Sequence, residues 1–234
     1  MKINDYFDNI YLLNLHKRNN RLEKSTSKLA QLGIKHDIFH GCDGYVLNHI
    51  WNKLQSPYFS NPRYLGCAIS HLSIYQDAIE SGYEKILIIE DDNLIHKDIQ
   101  NLFDSFEVPE FEDLIYLGYI PLSDDMMMWT YEKTYDETTS LNSNFFKCKN
   151  LWGLFSYGLT SKLMKELISV YNSEFPMELD RYFVNNIQPR GNSIAVVPQL
   201  FCCDDDIHSD NTGWSEHLST KSIDRRFSNR LDYI

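Results

Sequence analysis

No apolar run in this 234-residue chain approaches the roughly 18 to 20 residues needed to cross a bilayer. Its opening, MKINDYFDNIYLLNL, has no sustained hydrophobic segment of the kind that directs secretion. Asn-x-Ser/Thr acceptor sites are missing altogether. Cysteine is scarce and odd in number, at positions 42, 67, 148, 202 and 203, without the even count and spacing of a disulfide framework. The adjacent Cys202 and Cys203 also lack the spaced ligand pairs of a structural zinc site. Positive charge is in deficit, 22 Lys and Arg against 33 Asp and Glu, for a net charge of −11. That balance excludes a sequence-independent grip on nucleic acid, but not an anionic small ligand held through a metal. With no internal repeat and no linker, the chain is expected to be a single domain over residues 1–234, soluble and cytoplasmic, with reduced thiols. The sequence is silent on its oligomeric state.

What is present suits a packed α/β domain. Hydrophobic residues make up 43% and charged residues 24%, enough apolar surface to fold. NIYLLNL (9–15) reads as a buried strand. A helical repeat of Leu22, Leu29 and Leu32 follows, stopped at Gly33. HDIFHGCDG (36–44) reads as a second strand with a glycine turn, which completes a βαβ opening. A long helical pattern runs from Leu65 to Gly82, and then come the strands KILIIE (85–90) and EDLIYLGY (112–119). Residues 121–149 are polar, aromatic and Met-rich, which predicts loops and a hairpin. LWGLFSYGLTSKLMKELISVYN (151–172) predicts an aromatic strand and a helix capped near Thr160 or Ser161. SIAVVPQL (193–200) reads as a late strand stopped by Pro198. Alternating strands and helices imply a mainly parallel sheet flanked by helices.

The strongest strand ends in three acids, Glu90, Asp91 and Asp92. Ligands of open α/β sheets gather at the carboxyl ends of strands. Adjacent carboxylates repel unless a cation or hydrogen-bond donors compensate them. Hard divalent ions prefer oxygen, and Mg²⁺ commonly takes one or two carboxylates together with phosphate oxygens. The triplet therefore suits a metal–diphosphate site, with a solvated turn as the bland alternative. ILIIEDDNLI also resembles the acidic pocket of a receiver domain. That reading requires the next strand to end in a phosphoacceptor Asp, where DLIYLGY has Gly118, and it leaves over 80 preceding residues unexplained.

Several segments together resemble glycosyltransferase family 25, which includes lipooligosaccharide sugar transferases and collagen galactosyltransferases. They are YLLNLHKRNNRLEKSTSKLAQLGI, FHGCDG, LGCAISHLSIYQDAI, ILIIEDDNLIH, DLIYLG, WGLFSYGLTSKLMKELI and PMELD, in that order over about residues 9–210. The resemblance implies a GT-A type nucleotide-sugar fold. It also implies transfer of a hexose, galactose or glucose, from a UDP-sugar to an acceptor hydroxyl with inversion. The acceptor would be a glycan or a hydroxylysine-like side chain. The lack of a signal peptide and of an ER-retention ending leans away from a lumenal collagen enzyme. A non-catalytic sugar-nucleotide-binding module and a nucleotide-sugar hydrolase are the competing classes.

On this resemblance Asp92 is the first candidate ligand for Mn²⁺ or Mg²⁺, with Glu90 and Asp91 completing the motif through metal waters or ribose. Asn14, Leu15, Arg18 and Arg21 would line the nucleotide, Asp43 and Gly44 would touch base or ribose, and Gly66 and Ser70 would share a helix face near it. His71 reads better as a satisfied core histidine. Asp180 is the candidate base, with Glu178 in reserve because the spacing after Pro176 exceeds the family's Pro-x-Asp pattern. Either acid could instead serve a helix N-terminus. His208, in the acid-rich CCDDDIHSDNTG, is a further candidate metal ligand. Trp152 and Tyr157 are either an acceptor platform or core.

Overall fold

The computed structural model describes residues 1–47, 62–121, 139–204 and 230–234. A short helix, α1 (Ile3–Tyr6), precedes β1 (Asn9–Asn14), α2 (Asn19–Gln31) and β2 (Asp37–His40). Then follow α3 (Pro62–Glu80), β3 (Lys85–Glu90), β4 (Asn93–Ile95), α4 (Ile99–Ser105) and β5 (Leu114–Pro121). The second half carries β6 (Phe145–Lys147), β7 (Leu151–Thr160), α5 (Ser161–Ser173), α6 (Leu179–Tyr182), β8 (Ile194–Val196) and β9 (Phe201–Cys203). Among the described residues no helix is long and apolar enough to cross a membrane.

Seven strands form one sheet in the order β2–β1–β3–β7–β5–β8–β6, and β4 pairs with β9 in a second, two-stranded sheet. β1 runs parallel to β2 and β3, and β5 runs parallel to β8, whereas β7 and β6 are antiparallel to their neighbours. The architecture is thus the α/β one expected, a mixed, mainly parallel sheet flanked by helices.

The unbroken apolar runs of the central strands follow from burial on both faces. Tyr11, Leu13, Ile86 and Ile88 point to one side, where they pack with Ile74 of α3 and Leu163 and Leu167 of α5. Ile10, Leu12, Leu87 and Ile89 point to the other, onto Leu29 of α2 and Phe103 of α4. Thr160 caps α5, its Oγ1 accepting from the Leu163 amide at 3.4 Å. Gly33 ends α2 in the left-handed region, at φ +68°, where a side chain would be strained.

Two elements depart from the sequence reading. Phe145–Lys147 joins the sheet beside β8, and the Ser140–Phe146 bridge closes a small turn before it, so this segment adds an edge strand to the sheet. Residues 122–138 lie outside the described ones. The short strands β4 and β9 carry no periodicity long enough to read, yet their pairing determines where the acids sit.

Candidate functional site

Glu90 is the last residue of β3 and Asn93 the first of β4, so the three acids occupy the tight turn between two strands. Every carbonyl in that turn has a donor. Asn93 Nδ2 donates to Glu90 O at 2.8 Å and to Phe155 O on β7 at 2.6 Å. Ser25 Oγ donates to Asp91 O at 2.8 Å, the Asp204 amide to Asp92 O at 3.0 Å, and Lys28 Nζ to Asn93 O at 3.0 Å. A backbone held on all sides keeps like-charged side chains together that would otherwise splay apart.

The three carboxylates face different surroundings. Asp91 is buried and turned into the protein, accepting from Asn14 Nδ2 at 2.5 Å and from Arg21 Nη1 at 3.4 Å. Burial raises its pKa, and Arg21 and Asn14 oppose the rise. Glu90 meets His71 Nε2 at 3.1 Å. Asp92 forms an ion pair with Arg21 at 3.7 Å. Burial, then the charges of Glu90 and Asp91, push Asp92 up to about 8.

Arg21 enters through an unusual helix face. The inward stripe of α2 is Arg21, Ser25 and Leu29, four residues apart, so two polar residues take core positions in order to hold the acid turn. The leucine pattern concealed this, since Leu22 and Leu32 are only partly buried. Arg21 and Asp91 are each about 7% exposed. Replacing Arg21 by alanine strands a buried carboxylate and is expected to cost about 3–5 kcal/mol of stability. Urea unfolding of the variant checks this, and a loss under about 1 kcal/mol would mean that water already screens the pair.

A pocket opens beside the turn. It is lined by Leu13, Asn14 and Leu15 from the end of β1, by Lys17 and Arg21, by Cys42 to Tyr45, by Arg63, Cys67 and Ser70 on α3, and by the three acids. The structure therefore brings Asn14, Leu15, Arg21, Asp43, Gly44, Ser70, Glu90, Asp91 and Asp92 around one space. Arg18 is not among the lining residues, and its carbonyl accepts from Asn14 Nδ2 at 3.1 Å. Gly66 also stays outside the lining, and its role is packing: a Cβ there would come within 2.5 Å of the Gly44 amide nitrogen. Ser70 ties the same loop to α3, donating to Gly66 O at 2.7 Å and accepting from the Cys42 amide at 2.8 Å.

Lys17, Tyr45, Arg63 and Cys67 escaped the sequence reading. Tyr45 is 48% exposed, with the Arg63 guanidinium 4.7 Å and the Lys17 ammonium 5.3 Å from its ring centroid. Lys17 also pairs with Asp43 at 2.6 Å. Asn14 Oδ1 is buried and has no donor among the described residues, because both acceptors around the side chain hold its amide nitrogen inward. A ligand hydroxyl or N–H would satisfy it.

Glu178 and Asp180 lie at the start of α6, apart from the pocket lining. Burial is the main cause that pushes Asp180 up to about 6, and the charge of Glu90 adds to it, so the two acids feel each other. Glu178 pairs with Arg181 at 3.1 Å. His208 falls outside the described residues. The chain leading to it leaves β9 at Asp204, whose amide bonds Asp92 O. Tyr157 is fully buried and bonds His71 Nδ1 at 2.9 Å, so it belongs to the core and offers no acceptor platform.

Known proteins resemble parts of this chain. Procollagen galactosyltransferase 2 of Homo sapiens is 30% identical over 129 residues, 48% of this chain and 21% of that protein. An inactive glycosyltransferase 25 family member 3 of Homo sapiens is 26% identical over 129 residues, 48% of this chain and 22% of that protein. The matches thus span only about a fifth of these relatives' length. Among solved structures, a glycosyltransferase involved in the glycosylation of the major capsid of PBCV-1 aligns at a TM-score of 0.43 and 13% identity, over 80% of this chain and 79% of that one. A197 from STIV aligns at 0.42 and 11%, over 82% of each. The family profile for Glycosyltransferase family 25 (LPS biosynthesis protein) matches residues 7–183, from the residues before β1 through the acid turn to just past Asp180, and the chain belongs to that family.

Proposed function

We propose that the protein is a metal-dependent, inverting hexosyltransferase that moves galactose, with glucose as the alternative, from a UDP-sugar to a hydroxyl on a glycan or a hydroxylysine-like side chain. The observation that carries the proposal is the division of labour in the acid turn. Asp91 is consumed in holding the turn, while Glu90 and Asp92 are presented to a pocket that also contains Lys17, Arg21 and Arg63. A pocket lined by both carboxylates and cationic side chains suits a diphosphate bridged by a cation.

The donor set fits Mn²⁺ or Mg²⁺, being hard carboxylate oxygens beside room for phosphate. Asp92 and Glu90 would hold the ion, with His208 as a further candidate because its segment departs beside Asp92. When bound, the ion supplies Lewis-acid neutralisation of the diphosphate and of the departing UDP. Asn14 Oδ1 offers an acceptor for a ribose hydroxyl or a uracil N–H, and Tyr45, with Arg63 and Lys17 over its ring, lines the same pocket. In the transfer, the acceptor oxygen attacks the anomeric carbon from the face opposite UDP. Its proton passes to Asp180, and the sugar–phosphate bond breaks with its electron pair leaving on the diphosphate.

Galactose is preferred because relatives at about 30% identity are named procollagen galactosyltransferases. Other relatives are named inactive, which keeps a binding-only module as the second reading. The test is UDP release from UDP-galactose and UDP-glucose with Mn²⁺ or EDTA, with and without sugar and hydroxylysine-peptide acceptors. Release that needs both metal and acceptor is the expected result. Metal-dependent release indifferent to every acceptor would indicate a hydrolase, and tight UDP binding without turnover a module.

A further inference from the structure

Cys67 and His71 stand four residues apart on α3 and so share one face of the helix. Glu90 meets them from the end of β3. Cys67 Sγ, a ring nitrogen of His71 and a carboxylate oxygen of Glu90 lie within 4.8 Å of one another, the one such trio of His, Cys or acidic ligands among the described residues. A tetrahedral ion bound about 2.0 Å from nitrogen and oxygen and about 2.3 Å from sulfur separates its donors by roughly 3.3–3.5 Å. His71 Nε2 and Glu90 Oε1 are already 3.1 Å apart, so a side-chain adjustment of about 1 Å closes all three on one ion.

The other nitrogen of the imidazole is already held. His71 is wholly buried, and its Nδ1 lies 2.9 Å from the Tyr157 hydroxyl, which lies 2.5 Å from the Tyr75 hydroxyl. Tyr157 can accept from Nδ1–H and donate to Tyr75, an arrangement that frees the Nε2 lone pair for an ion in place of the Nε2–H that Glu90 accepts when no ion is bound. An outer partner on the second ring nitrogen is the usual support of a metal-bound histidine. A purely structural histidine accounts for the contacts with Tyr157 and Glu90, but not for the Cys67 thiol that converges with Glu90 on its outer edge.

We propose that Cys67, His71 and Glu90 form a binding site for a borderline-soft divalent ion of the zinc class, with a fourth coordination position open to the pocket that Cys67 and Glu90 line. Thiolate and imidazole select such an ion over Mn²⁺ or Mg²⁺, which prefer all-oxygen ligands. Binding releases the thiol proton to solvent. Glu90 cannot serve this ion and one at Asp92 together. A consequence, which rests on the reading under Proposed function, is that Zn²⁺ suppresses Mn²⁺-supported UDP binding.

The test is titration of Co²⁺ into the full chain without nucleotide, following the near-ultraviolet charge-transfer absorption that arises only from cobalt–thiolate bonding. One equivalent is expected to produce the band. Cys67→Ser, nearly isosteric, is expected to abolish it, and His71→Gln to weaken binding at least tenfold. Asp92→Asn is expected to retain it. Circular dichroism confirms that each variant is folded, and Cys67→Ser decides the matter if His71→Gln is not. No band in the wild type, a band surviving in Cys67→Ser, or equal loss in Asp92→Asn would each overturn the proposal. Nucleotide plays no part in this readout, so its outcome is separable from that of the UDP-sugar reading.

Discussion

Replacing Asp92 by alanine is expected to abolish Mn²⁺-dependent UDP binding and to lower hexose transfer on the order of 10³-fold, while the protein remains folded. Interactions placed where charge develops in the transition state are each worth roughly 10²–10³ in rate, and a lost metal takes several with it. The expectation attaches to Asp92 because of how the turn is built. Asp91 already accepts from Asn14 and Arg21, and Glu90 already meets His71. Asp92 is raised to about 8 by burial and by its two neighbours, a carboxylate whose charge needs compensation that Arg21, 3.7 Å away, only partly supplies. Removing it relieves repulsion and leaves no buried cation bare, since Arg21 keeps Asp91. Stability should therefore stay the same or rise. Calorimetric titration of UDP with and without Mn²⁺, beside thermal unfolding of the same samples, reads both halves. Unchanged Mn²⁺-dependent binding in the variant would remove Asp92 from the site.

That build explains why some of the site was legible in the sequence and some was not. The triplet itself, the strand before it and the GCAISH helix are local patterns, and their order along the chain was enough to identify the family and to anticipate an α/β fold. Asn14 follows from the resemblance, which sets the junction of the first strand and its helix against the nucleotide; that β1 pairs with the acid-bearing strand is shown by the structure. What sequence could not give was direction. Arg18 and Arg21 open the same helix, and only the twist of α2 against β3 decides that Arg21 turns inward while Arg18 contributes its carbonyl. Gly66 looked like room for a ligand, yet that room is taken by the Cys42–Gly44 loop, a contact between segments over twenty residues apart. The strands β4 and β9 have three residues each, too short for any period, and their pairing brings the Asp204 amide onto Asp92 O. Tyr157 could have been platform or core, and the buried contact with His71 settles it as core.

Asp180→Asn is expected to reduce transfer by roughly 10²–10⁴-fold, the usual contribution of a positioned general base, and to remove the acid limb of the pH–rate profile. A base must be deprotonated to act. With its pKa raised to about 6, chiefly by burial, Asp180 loses the ability to accept a proton as pH falls through that value. The wild-type rate should therefore be level above about pH 7 and fall about tenfold per unit below the inflection. Glu90 adds a small part of the elevation beside burial, so a cation bound beside Glu90 should draw the inflection slightly below 6. Raising Mn²⁺ from limiting to saturating should then shift the acid limb to lower pH, which a base remote from Glu90 would not do. Glu178→Gln separates the two candidates. Glu178 is paired with Arg181 at 3.1 Å and is expected to change the rate by less than about tenfold, with the limb intact. If instead Glu178→Gln erased the limb and Asp180→Asn kept it, the proton would go to Glu178, and the longer spacing after Pro176 would have moved the base two residues toward that proline.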